Sequence, residues 1–167
     1  LSSAMDIRSV KPSTKKWTGK ISWGLADLGF HINAPVIEDK LAVSAGIRRS
    51  LTDLIFPLAD ASSGARVNFW LGFGDYNFKT SYRINKYSKL EALLFHGQNR
   101  AVNRVGSKFQ QEAKTYSQIA SLKYQLQKGN TFYQQQIFYS GYDFNFLHTY
   151  DNTTILLENL PSDYAIY

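Results

Sequence analysis

The amino-acid sequence predicts an all-β fold, in which antiparallel up-and-down strands form part of a transmembrane β-barrel with long extracellular loops and short periplasmic turns. Three observations lead to this prediction. Apolar and polar residues alternate along the chain, the alternating runs are long, and the connections between them alternate between short and long. Strands place successive side chains on opposite faces, so these runs match the apolar-out, polar-in pattern of a barrel wall.

The clearest alternation is in the segment DYNFKTSYRINKYSKLEALLF, residues 75–95. It contains two runs of alternating polarity, joined by a turn at residues 85–88. In the first run, one face carries Tyr76, Phe78, Tyr82 and Ile84, and the other carries Asn77, Lys79, Ser81 and Arg83. The apolar face must meet either a protein core or lipid, and alternation alone does not decide between them.

We expect about seven strands after the first ten residues, and one short strand within those ten. The expected strands are 4–10, 16–25, 28–34, 41–49, 75–84, 89–95, 117–126 and 131–146. Pro35 is expected to end the strand before it, because proline cannot donate to a sheet ladder. Most of these runs are longer than the usual strand of about 5 to 6 residues. Their lengths approach the about 9 to 11 residues that a tilted strand needs to cross a bilayer.

The connections between these strands differ in length. The expected short connections are 35–40, 84–88 and 127–130, and the expected long ones are 50–74, 97–116 and the segment after residue 146. The tight first hairpin near Ala26 is the exception, and 50–74 is expected to contain one helical turn. Outer-membrane barrels have this asymmetry of short periplasmic turns and long outer loops.

Composition sets further limits. The chain has 167 residues, of which 44% are hydrophobic and 15% aromatic, and its net charge is +6. It has no cysteine, which excludes disulfides and thiolate metal sites. No apolar run approaches the length of about 18 residues that a transmembrane helix needs. The basic residues are dispersed along the chain rather than gathered in one stripe, so we expect no nucleic-acid partner.

Two groups of side chains are candidates for a role at the surface of a barrel. The cations that we expect in the lumen or at the rim are Lys20, Arg48, Arg49, Lys79, Arg83 and Lys123. The aromatic residues that we expect in the interfacial girdles are Trp17, Trp23, Tyr82 and Tyr87. Solvated strand ends, plug packing and ordinary β-propensity are the alternative explanations. No histidine has a metal-ligand spacing and no catalytic motif is present, so we expect no metal, cofactor or enzymatic activity.

Several segments resemble TonB-dependent outer-membrane receptors of the type found in Bacteroidetes. LSSAMDIRS at residues 1–9 resembles the last strand of the plug domain in that family. Residues 16–58 resemble the first barrel strands, through Gly24-Leu25, Ala34-Pro35-Val36, Asp39-Lys40, and Arg48-Arg49 followed by Asp53-Leu54. Residues 75–100 resemble the next hairpin, where family members read Asp-Leu-Asn-x-Lys-x-x-Tyr-x-Ile-Asn.

This resemblance implies a domain division, a location and a function. Residues 1–10 would be the last plug strand, and residues 11–167 the N-terminal part of the barrel in a longer chain. The protein would import a bulky nutrient, such as a siderophore, vitamin or glycan, across the outer membrane. Its partners would be the remainder of its own barrel and plug, the TonB-ExbB-ExbD machinery, a surface lipoprotein, and lipid or lipopolysaccharide.

Two other functions agree with the residues. One is a soluble β-rich module that binds carbohydrate or nucleic acid through its aromatic rings. The other is a passive outer-membrane barrel or assembly component without TonB coupling. A barrel would need detergent and would change its gel mobility on boiling, whereas a soluble module would do neither.

Overall fold

The computed structural model describes residues 12–52, 55, 56, 58, 68–105, 108–150, 153–160, 165 and 166. These residues form one antiparallel sheet of nine strands. The strands are β1 (Thr18–Trp23), β2 (Asp27–Ile37), β3 (Leu41–Ser50), β4 (Phe69–Arg83), β5 (Ser88–Val105), β6 (Phe109–Lys128), β7 (Thr131–Tyr150), β8 (Thr153–Leu160) and β9 (Ala165–Ile166). The predicted all-β, up-and-down antiparallel fold is therefore confirmed.

The sheet follows chain order from β1 to β8, and β9 pairs with β7. Substantial contacts between strands join only hydrogen-bonded neighbours, so the described strands form a single layer. No pairing between β1 and β8 occurs in the described part of the chain, and the sheet is open there. Among the same residues, no helix is long and apolar enough to cross a membrane.

One end of the sheet, which we call the turn end, has three tight connections: residues 38–40, 84–87 and 129–130. Asn85 closes the second, because its Oδ1 accepts hydrogen bonds from the amides of Tyr87 (2.8 Å) and Ser88 (2.9 Å). Gly129 has a φ of 57°, a left-handed conformation that glycine adopts without steric cost. The predicted turn at 127–130 is confirmed, although the strands reach further into it than expected.

Pro35 does not end β2, so that prediction was wrong. The strand continues to Ile37, with a register shift between Pro35 and Ile37. The reason lies in the neighbouring strand: β1 begins at Thr18, which pairs with Asn33, so Pro35 lies beyond the end of β1. Only β3 pairs with β2 at that point, and proline is tolerated where a strand edge is unpaired.

The prediction of a long loop at 97–116 was also wrong. β5 continues to Val105 and β6 begins at Phe109, so the connection contains only residues 106–108. This region lacks hydrophobic alternation because its cross-strand pairs are polar. Asn99 donates to Thr115 (3.0 Å), Asn103 to Gln111 (3.3 Å) and Arg104 to Gln110 (3.1 Å).

Other boundaries differ from the prediction in the same direction. β4 begins at Phe69 inside the expected 50–74 loop, β7 continues to Tyr150, and β8 and β9 occupy the expected tail loop. Long and short connections therefore do not alternate throughout: 51–68 is long, but 106–108 and 151–152 are short. The amide of Ile55 donates to the Leu51 carbonyl (2.8 Å), as one helical turn requires. The expected strand at 4–10 lies outside the described residues.

Candidate functional site

The two faces of the sheet differ in chemistry, and cross-strand register assigns each side chain to one of them. Face I carries Ile47, Phe78 and Leu94, and face II carries Lys79 and the residues aligned with it. Paired residues of antiparallel strands share a face, so these assignments extend across the sheet.

Near the turn end, face I is an apolar band that crosses seven strands. Each strand contributes at least one large apolar side chain that lies exposed: Ile21, Phe30, Ile47, Phe78, Leu94, Leu122 and Ile137. On β4 the band extends from Tyr76 to Tyr82, about 20 Å of backbone at roughly 3.4 Å per residue. Apart from Pro12, the buried apolar side chains among the described residues are Ala34, Ala42, Trp70 and Val102, so no core built from described residues covers the band.

Tyrosine and lysine side chains meet at the turn end of this band. The ammonium of Lys40 lies 5.7 Å from the ring centre of Tyr82. Those of Lys86 and Lys128 lie 4.8 and 5.9 Å from the ring of Tyr87. Rings with a polar tip and cations on flexible stems suit a border between an apolar phase and water.

Trp17 directly precedes β1 and Trp23 is its last residue. Both side chains are highly exposed, at 68% and 85%. Trp23 is on face I, aligned with Leu28, near the tight turn in which the Gly24 amide donates to the Asp27 carbonyl (2.9 Å). It therefore occupies the end of the apolar band opposite to Tyr82.

Face II carries paired charges at the same level of the sheet. Lys89 and Lys123 bind opposite oxygens of the buried Glu91 carboxylate, at 3.2 and 2.8 Å. Arg48 binds Asp75 at 2.9 Å and lies 3.9 Å from Asp27. A buried carboxylate between two cations keeps its charge compensated, which is what an otherwise costly burial requires.

Both faces change polarity towards the other end of the sheet, which we call the far end. Face I becomes polar, with Gln98, Arg100, Gln110, Glu112, Lys114, Asp143 and Asn145. Face II gains aromatic and apolar side chains beside its polar pairs Asn99–Thr115 and Asn103–Gln111; these are Phe69, Leu71, Phe73, Phe109, Tyr142, Phe144 and Phe146. The apolar band of face I is thus limited at both ends, although the strands continue beyond it.

A cationic group lies on face I just beyond the band. Arg100 and Lys114 share the Glu112 carboxylate, Lys114 at 3.2 Å, and the Arg100 guanidinium lies 4.9 Å from the ring centre of buried Trp70. Burial alone would raise the pKa of Glu112, but its hydrogen bonds and charge interactions with these two cations outweigh that effect and lower the pKa. Arg49 lies nearby and donates to the Tyr76 hydroxyl at 3.3 Å.

Register separates the six cations proposed from sequence. Lys20, Arg48, Lys79, Arg83 and Lys123 lie on face II, and Arg49 lies on face I. Arg48 and Arg49 are adjacent in β3, so they point to opposite sides of the sheet. Sequence reasoning missed Arg100, Glu112 and Lys114, because it placed them in a loop. The available signal was that Arg100 and Arg104 before the connection, and Glu112 and Lys114 after it, are spaced by even numbers of residues, as side chains on one face of a strand are.

The three histidines contact other side chains. His31 hydrogen-bonds Ser44 (2.9 Å), His96 lies between the rings of Tyr76 and Tyr116, and His148 meets Phe109 edge-on. In the residues that the structure describes, no three His, Asp or Glu side chains come together as metal ligands would.

Comparison of the chain with protein-family models, with curated proteins and with solved structures gives no match.

Proposed function

We propose that this sheet is part of the wall of an outer-membrane β-barrel, with face I towards lipid and face II towards the lumen. The observation that carries the proposal is the exposed apolar band of face I on seven adjacent strands. Monomeric soluble proteins rarely expose contiguous apolar patches larger than a few hundred Å². A barrel wall has an outward apolar band about 25 Å tall, with aromatic residues at both edges.

Strand length and polarity support the same assignment. β6 and β7 have 20 residues each, about twice the 9 to 11 that cross a bilayer. Their far ends would stand outside the membrane, where the polar part of face I would meet water. The β1 and β8 edges would pair with further strands, because lipid offers no hydrogen-bond partners to an open edge.

The particular function we propose is that of a TonB-dependent transporter that imports a bulky nutrient. This step is based on the resemblance of residues 1–9, 16–58 and 75–100 to that family. In such a protein the charged part of face II would contact the plug, and its aromatic far end would line the entry for the nutrient.

Membrane insertion is tested first, with the complete polypeptide in its own cells. We expect it in the outer-membrane fraction, extractable only with detergent, and with a gel mobility that changes on boiling. A protein that stays in solution without detergent would contradict the barrel assignment and favour a soluble binding module.

Energy coupling is tested second, because it separates a transporter from a passive barrel. Growth on a panel of nutrients is compared between cells with and without the gene, each with intact or deleted TonB. We expect a nutrient whose use requires both. Use that requires the gene but not TonB would indicate a passive barrel instead.

A further inference from the structure

We propose that the turn end of face II holds a binding site for an acidic peptide segment of a periplasmic protein partner. The site is a hollow of about 590 Å³ beside the tight connections at 84–87 and 129–130, and we call it the turn-end hollow. Ligand pockets in proteins have volumes of about 300 to 1,000 Å³, so the hollow is large enough for part of a peptide. This inference rests on the proposed barrel orientation, in which the tight connections lie in the periplasm.

The hollow is built from four adjacent strands and two turns. Its lining includes Arg83, Lys89, Gln125, Gln127 and Phe132, which register places on face II of β4 to β7. Lys86 and Gly129 line it from the two turns. A Cβ at Gly129 would have no neighbour within 4 Å, so the space beside that turn is open.

Two cations of the hollow have no carboxylate partner in the described part of the chain. The Arg83 side chain is exposed and forms no hydrogen bond or ion pair there. The Lys86 ammonium lies 4.8 Å from the ring centre of Tyr87, a contact that leaves its charge uncompensated. None of the described residues that line the hollow is acidic, so it attracts negative charge.

Carboxylates near the hollow do not reverse its charge. Glu91 pairs with both Lys89 (3.2 Å) and Lys123 (2.8 Å), so this group keeps one positive charge in excess. Glu38 and Asp39 lie in the neighbouring connection at 38–40, and no ion pair among the described residues joins either of them to the hollow. The site stays positive even when both are counted.

The other lining groups favour a peptide over a small anion or a lipid. The hollow lies on face II, away from lipid, at the level where the apolar band ends with Tyr82 on β4. The Gln127 side chain is exposed and forms no hydrogen bond among the described residues, so its amide can both donate to and accept from a peptide backbone. Phe132 is 61% exposed and offers apolar surface, which a small anion would not use.

The test uses the complete protein in an uncharged detergent and a fluorescent peptide in which glutamate and serine alternate. A peptide with glutamine in place of glutamate is the neutral control. The variant Arg83→Gln/Lys86→Gln removes two charges from the hollow. Its matched control, Lys15→Gln/Lys16→Gln, removes two exposed charges that precede β1 and do not line the hollow. Gln127→Trp is a charge-neutral variant that fills the hollow, and circular dichroism verifies that each variant folds.

We expect the hollow variant and Gln127→Trp to bind the glutamate peptide about tenfold or more weakly, and the matched control to bind it as the unmodified protein does. We also expect no binding of the glutamine peptide. Equal losses in the two double variants would overturn the proposal, as they would indicate non-specific charge attraction.

Two further results would also overturn the proposal. Displacement of the peptide by inorganic phosphate at constant ionic strength would assign the hollow to a small anion. No binding to the complete protein would indicate that another segment of the same polypeptide, such as its plug, covers the hollow. None of these results changes whether the protein needs detergent, so the barrel assignment is judged separately by membrane fractionation.

Discussion

Leu94→Arg places a charge in the middle of the apolar band and distinguishes lipid from water on face I. Leu94 is 55% exposed and aligns with Phe78 and Ala120. An arginine near the bilayer midplane costs about 2 to 4 kcal/mol, which corresponds to a roughly 30- to 900-fold shift of the folding equilibrium. If water covers face I, the same change at an exposed site alters stability by less than about 0.5 kcal/mol.

The assay is urea-induced unfolding of the complete protein in lipid vesicles, followed by its mobility on unboiled gels. Ser121→Arg is the matched control, because Ser121 lies on face II, one row of side chains from Leu94. It aligns with Leu93 and Phe138 on the two neighbouring strands. We expect the control to change the free energy of unfolding by less than half as much as Leu94→Arg does. Equal effects of the two variants, or no effect of Leu94→Arg, would refute the assignment of face I to lipid.

Three further variants test local interactions, each by its free energy of unfolding in vesicles. Asn85→Ala removes the acceptor of two backbone amides and should cost about 1 to 2 kcal/mol, whereas Asn85→Asp, which keeps the acceptor, should cost less. Lys123→Met leaves the buried Glu91 with one cation instead of two and should lower the free energy of unfolding by about 1 to 3 kcal/mol. Adding Glu91→Gln to the same chain should restore most of that loss. The pKa of Glu112 is lowered in the folded protein, so its contribution to stability is present above the ordinary glutamate pKa of about 4.3 and decreases as the pH falls below that value. Glu112→Gln should remove this part of the pH dependence of the unfolding free energy. An unchanged pH profile would contradict the ion-pair account.

The sequence predicted the all-β, antiparallel up-and-down arrangement and the middle of the sheet well, because alternation there follows the pleat. Tyr76 and Phe78 share one face with Leu94, and Lys79 and Arg83 share the other with Glu91, as period-2 patterning requires.

The far end could not be predicted in the same way. There, polar residues pair across β5 and β6 on both faces, so the alternation of apolar and polar residues seen in the band does not continue along these two strands. The pairs Arg100–Glu112 and Asn99–Thr115 depend on register across a turn, which composition does not show.

The most direct test of the central claim is the collision accessibility of spin labels on single cysteines in vesicles. The chain has no cysteine, so each introduced label is unique within it. Labels at positions 94 and 122 on face I should collide mainly with oxygen dissolved in lipid. Labels at positions 93 and 121 on face II should collide mainly with a water-soluble nickel complex. Equal access of the nickel complex to all four positions would contradict a membrane-facing apolar band.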